Sequence, residues 1–372
     1  MMIGWPTNRC LKAVLALFAL LPGAPAAAQP KAATHFADID VRSAVKAMGL
    51  GVNIGNTLEN TKAWETGWGN PPITQDYIKH LAALGFTTIR LPVAWDTYAH
   101  DGRIDRSKLE RVGQVIGWAR DAGMYCVVNI HWDRGWIDSD DKARFASTFH
   151  TFSPEAERKF QSYWSTIAAY FADRDDHLIF EGLNEESNFE RVGPPRQAMA
   201  TLARVNQLFV DTVRQSGGNN GRRLLIIAGY TTDIDKTVDG DLPIPNDSAP
   251  NRLLLSIHYY TPWSFAGMTE DASWGRMRPT WGTDADFVEL NRNFDKLQAF
   301  SRKKHVPVFL GEFAPSYNKD PVSRVRWMLG VARAAQQRDM VPVLWETGHD
   351  ISRKPPHSPS PALTVVLHEL QH

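Results

Sequence analysis

Eight apolar runs of strand length punctuate the chain: GVNIGN (51–56), FTTIRLPV (86–93), MYCVVNI (124–130), LIFEGLN (178–184), LLIIAGY (224–230), LLLSIHYY (253–260), VPVFLGEF (306–313) and VPVLWETG (341–348). They are dense in Val, Ile, Leu and Phe, as strands covered on both faces should be. Between most of them the apolar positions switch to helical spacing. Leu109, Val112, Ile116 and Ala119 follow a capping Asp105, and Phe160, Trp164, Ile167 and Phe171 follow Ser153-Pro154. Ala198, Leu202, Val205 and Phe209 repeat the pattern, then Phe287, Leu290, Phe294 and Leu297, then Val322, Val325 and Leu329 behind Asp320-Pro321. After LLIIAGY the chain is too rich in Asp and Pro for a long helix. DIDKTVDGD there lacks the sixth-position Gly and closing Glu of a calcium loop and reads as a solvated loop. Buried strands alternating with helices predict an α/β chain folded as one closed (β/α)8 barrel, a TIM barrel. The rival, an open doubly wound sheet, should open on a Gly-rich phosphate loop, and GVNIGN lacks both the third glycine and the immediate helix.

Composition changes this picture at the N-terminus. Arg9 and Lys12 precede the run AVLALFALL, and Ala26 and Ala28 suit cleavage before Gln29. The run is too short to span a bilayer, so residues 1–28 read as a secretory signal peptide and 29–372 as one catalytic domain. Cys10 precedes the run, where a lipid-anchored cysteine would follow it, so no membrane anchor is expected after cleavage. The expectation is a secreted monomer, extracellular or periplasmic. Of the two cysteines only Cys126 then remains; within MYCVVNI it reads as core. Lys+Arg and Asp+Glu are both 41, which gives no reason to expect a nucleic-acid or membrane-surface partner.

The thirteen tryptophans matter more, because flat aromatic faces stack on sugar rings. Trp118 and Trp164 fall within helices and should pack. Trp64, Trp68, Trp132, Trp136, Trp263, Trp274 and Trp281 fall in loops on the side where such barrels carry their chemistry, where some line a cleft and the rest build loop cores.

That side is the C-terminal end of the strands. It holds Asn56, Arg90, His131, Asn184, Glu185, Tyr230, His258, Tyr260, Glu312 and Trp345. Only the fourth and seventh strand ends supply a carboxylate, Glu185 and Glu312. Paired carboxylates suit acid/base and nucleophilic work on a glycosidic bond. Arg90 and His258 would hold a nucleophilic carboxylate charged, and Tyr260 could donate to it. His131 and Asn184 could bind sugar hydroxyls, and Trp345 could carry a pyranose ring. The plain alternative for the glutamates is a loop charge and an ion pair with Arg90. Glu181, one pleat deeper on the fourth strand, suits a structural ion pair better.

NIGNTLE, IRLPVAW, NIHW, LNE, HYYTP, GEF and the Trp of LWE resemble, in order and on the right strands, the signature positions of glycoside hydrolase family five, the cellulase family. The resemblance implies a (β/α)8 barrel that hydrolyses β-linked glucans or mannans with retention and without cofactor or metal. By position it makes Glu185 the acid/base and Glu312 the nucleophile. It also places Arg90, His131, Asn184, His258, Tyr260 and Trp345 around the cleaved sugar, and Asn56 and Glu59 as hydrogen-bond partners on its non-reducing side. ETGWGNP is similar to the endoglucanase and xyloglucanase branches. One departure stands out: Glu186 and Ser187 occupy the place where the family has proline after Asn-Glu. The expected activity is endo-β-1,4-glucanase on a β-glucan polysaccharide. Xyloglucanase, mixed-linkage glucanase and β-mannanase are alternatives. A metal-dependent barrel hydrolase would want paired histidines at the first strand, and a barrel that only binds polysaccharide should lack one glutamate; the sequence shows neither.

Overall fold

The computed structural model describes residues 1, 36–131, 153–186 and 195–372; the expected leader, Trp132, Trp136 and Ser187 lie outside them. The apolar runs become β1 (Gly51–Asn53), β2 (Thr88–Leu91), β3 (Tyr125–Asn129), β4 (Leu178–Glu181), β5 (Leu225–Ala228), β6 (Leu253–His258), β7 (Val308–Phe313) and β8 (Val341–Leu344). Each pairs in parallel with its sequence neighbour, and β8 pairs with β1, which closes the predicted (β/α)8 barrel.

Period-two alternation decides what each strand residue meets. Val127, Ile179, Ile226, Leu254, Phe309 and Val343 point inward and form the lower interior. Their neighbours Cys126, Val128, Leu178, Phe180, Leu225, Ile227 and Leu255 point outward, under the helices. Helix α1 (Val41–Met48), capped by Asp40, packs Val41, Ala44, Val45 and Met48 against the interior residues and plugs the N-terminal end. Higher up, inward positions of the strands carry Arg90, Asn129, Glu181, Ser256 and His258, all buried. Apolar below and polar above, the interior leaves one end of the barrel for chemistry.

Four outer helices bury the stripes their spacing predicts: α3 (Arg106–Asp121), α4 (Pro154–Tyr170), α5 (Pro195–Gln215) and α7 (Asp284–Lys304), while α2 is Gln75–Ala83. Two expectations fail. Where a solvated loop is expected, Ile234–Asp239 forms a short helix, α6, because Asp233 caps it and Lys296 pairs with Asp235 and Asp239. In α8 (Pro321–Gln336) the expected face is only partly buried: Val322 is 58% exposed while Val325 and Leu329 pack half-buried, and the helix instead buries Arg324, Trp327, Met328 and Val331. Trp327 sets that rotation. Fully buried, it donates from Nε1 to the Thr261 carbonyl at 3.1 Å, and no valine offers comparable area. The last helix, α9, is Pro361–Gln371.

The tryptophans divide similarly. Trp164 is buried between Phe180 and Phe209, and Trp118 packs half-buried on the core. Trp281 is buried against Phe287, and Trp64 meets Tyr98 edge-on at 4.9 Å, so both build loop cores. Cys126 is a buried free thiol, pushed up in pKa by burial, which suits core and not chemistry.

Candidate active site

Arg90 organises the barrel mouth. Its side chain is fully buried, and its guanidinium donates to Glu181 Oε2 at 2.6 Å, Asn53 Oδ1 at 3.0 Å, Glu312 Oε1 at 2.7 Å and Asn184 Oδ1 at 2.8 Å. A fork that satisfies four acceptors from three strands and their ends fixes their relative positions, which a lysine could not do. Glu181 is therefore the structural ion pair its parity predicts, held also by Ser256 Oγ at 2.7 Å. Asn184 gives its carbonyl oxygen to Arg90, which leaves its amide as the donor available to a hydroxyl.

Glu312 reaches the same centre through a break in the ladder. Between β6 and β7 the register runs Ile257 with Leu310 and then His258 with Glu312, so Gly311 is the extra residue of a bulge. The bulge turns Glu312 inward, where strict alternation from Phe309 would point it out. A hydrogen side chain fits without adjustment, whereas a Cβ on Gly311 would lie 3.0 Å from His258 Nε2 and 3.1 Å from Ser256 Oγ, tight enough that a neighbour must give. Tyr260 donates to Glu312 Oε2 at 2.9 Å, as the sequence predicts.

His258 sits between the glutamates. Its Nδ1 is 2.6 Å from Glu185 Oε1 and 3.7 Å from Glu312 Oε2. Ligand-type atoms of all three residues lie within 4.8 Å of one another. Glu185 is 45% exposed at the side chain, against 6% for Glu312. Burial pushes Glu312 above the ordinary carboxylate range, although His258 and Arg90 pull it down. For Glu185 burial also raises, but the hydrogen bond and charge of His258 win and hold it low. Burial lowers His258, and the Glu312 and Glu185 charges more than restore it, leaving it raised. The expected depression of Glu312 by Arg90 and His258 is thus outweighed by the depth of its site.

His131 and Trp345 stack with planes 4° apart and centroids 5.7 Å apart. Burial, with the Arg90 and His258 charges, pushes His131 well below its ordinary pKa, so it is neutral. Asn129 Oδ1 accepts from Val93 N, so its amide faces His131 Nδ1 at 3.4 Å. Asn56, with φ +57°, lines the cleft. Glu59 does not join it. It is 1% exposed, and its oxygens accept from the backbone amides of Asn56 and Thr57, so it shapes the loop that presents Asn56.

The cleft, 520 Å³, gathers Asn56, His131, Asn184, Glu185, Tyr260, Glu312 and Trp345, with Trp263 along one edge. Sequence reasoning missed several supports. Asn53 and Ser256 share parity with inward neighbours, which was a readable signal. Asn70 donates to the Asn56 and Thr347 carbonyls, and Arg353 to those of Gly55 and Glu346. Glu346 ties its own loop by accepting from Gly348, Asp350 and Ile351. These loop contacts, which lock the strand ends carrying Asn56 and Trp345 together, have no periodic signature. A buried carboxylate and a half-exposed one, bridged by an imidazole, can exchange a proton and offer a nucleophile to one bound group.

The family model "Cellulase (glycosyl hydrolase family 5)" matches residues 49–350. The chain belongs to glycosyl hydrolase family 5. As a family 5 member it is a glycoside hydrolase, an enzyme of O-glycosyl bonds. Endoglucanase A of Paenibacillus barcinonensis is 34% identical over 345 residues, covering 83% of this chain and 84% of that protein. The cellulase/esterase CelE of Acetivibrio thermocellus is 34% identical over 340 residues, 89% of this chain, which spans only 38% of that longer protein. Among solved structures, a Bacteroides ovatus GH5 xyloglucanase bound to an XXXG heptasaccharide superposes with TM-score 0.79 at 26% identity, covering 90% of this chain and 77% of that one. A GH5-4 broad specificity endoglucanase from Clostridium cellulovorans gives 0.79 at 28%, covering 91% and 98%.

Proposed function

We propose that this family 5 member is an exported, retaining endo-β-1,4-glucanase in which Glu312 attacks the anomeric carbon and Glu185 protonates the departing oxygen. The observation that carries the reading is the approach of Glu185, His258 and Glu312 atoms to within 4.8 Å. Carboxyl groups about 5–5.5 Å apart leave no room for an attacking water, whereas inverting pairs stand about 6.5–9.5 Å apart. Arg90 and Tyr260 fix both oxygens of Glu312 for attack. A sugar entering the cleft strips water from the half-exposed Glu185, which raises its proton affinity, and His258 Nδ1 is within hydrogen-bond reach to supply the proton. After the leaving group departs, Glu185 takes a proton from the water that releases the glycosyl-enzyme.

Proton NMR of the first product should show the β-anomer before mutarotation; an initial α-anomer would sink the mechanism. In Glu185→Ala, azide should restore turnover of an aryl glycoside with an acidic phenol and give a β-glycosyl azide.

Substrate choice rests on the family and on relatives whose names read endoglucanase, xyloglucan-specific endo-beta-1,4-glucanase and broad specificity endoglucanase. Unbranched β-1,4-glucan is our first reading. Backbone cleavage of xyloglucan is the second, favoured by the likeness to the xyloglucanase complex. Reducing-end assays on carboxymethyl-cellulose, xyloglucan, mixed-linkage glucan and mannan separate these. Export is tested by the N-terminus of the mature protein, expected at Gln29.

A further inference from the structure

We infer that Tyr317 and His349 form a distal sugar platform, a subsite that stacks a further pyranose ring of the substrate beyond the ring held at Trp345; this rests on the glucanase reading. Tyr317 lies on the loop after β7 and His349 on the loop after β8, and both line the cleft. Their rings stack at 4.4 Å and 20°. Tyr317 is nevertheless 63% exposed, so the stack covers one face and leaves the other to solvent.

An exposed aromatic on a loose loop would signify little. This one is held out between anchored neighbours. Ser316 donates from N and Oγ to the Ala266 carbonyl at 2.8 and 2.9 Å. Asn318 donates to the Thr269 carbonyl at 2.9 Å. Lys319, 3% exposed, sends its ammonium to the Met268 and Arg278 carbonyls at 2.5 and 3.1 Å. Every residue flanking Tyr317 is thus fastened to the loop after β6, so ring placement costs little further ordering when a ligand arrives.

Polar groups adjoin the platform on the cleft wall. Arg324, 7% exposed, pairs with Asp350 Oδ2 at 2.6 Å, and its buried Nε finds no hydrogen-bond acceptor among the described residues. Asp350 is fixed in turn by Ser360 Oγ at 2.7 Å. A flat aromatic face beside a paired donor and acceptor matches a β-linked glucopyranose, whose equatorial hydroxyls lie at the rim and whose axial C–H groups make both faces apolar. A sugar of the main chain and a sugar branching from it share that chemistry.

The test compares wild type, Tyr317→Ala and Tyr317→Trp on an aryl cellobioside, on cellotetraose to cellohexaose and on xyloglucan oligosaccharides. Calorimetric titration of cellohexaose accompanies the kinetics. For Tyr317→Ala the ratio of kcat/KM on cellohexaose to that on the aryl cellobioside should fall at least ten-fold, mainly through KM. Tyr317→Trp should retain the ratio. If only the branched substrates lose, the platform holds a branch sugar. An equal loss at every chain length, or none, overturns the subsite. If cellohexaose binds in a Tyr317-dependent way yet no glucan is cleaved, the glucanase reading fails and the platform stands; if cellohexaose does not bind, both fail.

Discussion

Tyr260 contributes one hydrogen bond, to Glu312 Oε2 at 2.9 Å, and that bond favours the charged carboxylate. Burial already pushes Glu312 above the ordinary range, so the acidic limb of kcat/KM should sit higher than a free glutamate would place it. Tyr260→Phe removes the donor, raises Glu312 further and should move that limb to higher pH. The loss at the optimum should be about ten-fold, or ~1.4 kcal/mol. A pH–rate profile checks this; a uniform drop with an unmoved limb would make Tyr260 a contact to sugar alone. Glu59 gives a stability test of the same kind. Burial, against its backbone donors, raises it from 4.5 to about 7. The fold therefore favours the protonated form: the contribution is whole below about pH 4.5 and is lost as pH climbs through 7. From that shift the difference is about 3 kcal/mol. Wild-type Tm should fall more steeply between pH 5 and 8 than that of Glu59→Gln, and parallel curves would show that the backbone amides keep Glu59 charged.

At the scale of the element, the decisive feature is the bulge in β7. Gly311→Ala puts a methyl 3.0 Å from His258 Nε2 and 3.1 Å from Ser256 Oγ, closer than either neighbour tolerates without moving. His258 or Ser256 must then give by a few tenths of an ångström, which disturbs the His258 contact with Glu185. We expect kcat/KM to fall ten-fold or more with a stability cost of about 1–3 kcal/mol, read by kinetics and thermal melts together. Full activity would mean that the bulge is not what aims Glu312. Strand elements were the legible part of this molecule. The strand ends predict Arg90, Glu185 and His258 on one side of the barrel and parity puts Glu181 a pleat deeper, and the structure brings these four together. Elements whose orientation depends on one large side chain were not legible, as Trp327 in α8 shows. The end point of the Glu59 carboxylate was hidden too, because its partners are backbone amides of its own loop. Tyr317 and His349 come from separate loops and meet only in the folded chain.

Across the whole molecule, stability and chemistry occupy opposite ends of one barrel. Hydrophobic inward residues and α1 close the N-terminal end; the polar inward residues and their loops open the other. Met48 tests that division. It is fully buried against the interior residues, and no member of its cluster lines the cleft. Met48→Ala should leave a cavity costing about 2–5 kcal/mol, because close-packed strands around it cannot collapse to fill the space. In a domain of this size that is a fall in Tm of roughly 3–7 °C. At 25 °C, well below the transition, kcat/KM and the pH profile should match wild type, since Arg90 holds its acceptors through bonds made entirely in the upper layers. Thermal melts and kinetics on the same preparation decide it. A variant that melts like wild type but loses activity would show that the plug communicates with the mouth, and the division between the ends would have to be given up.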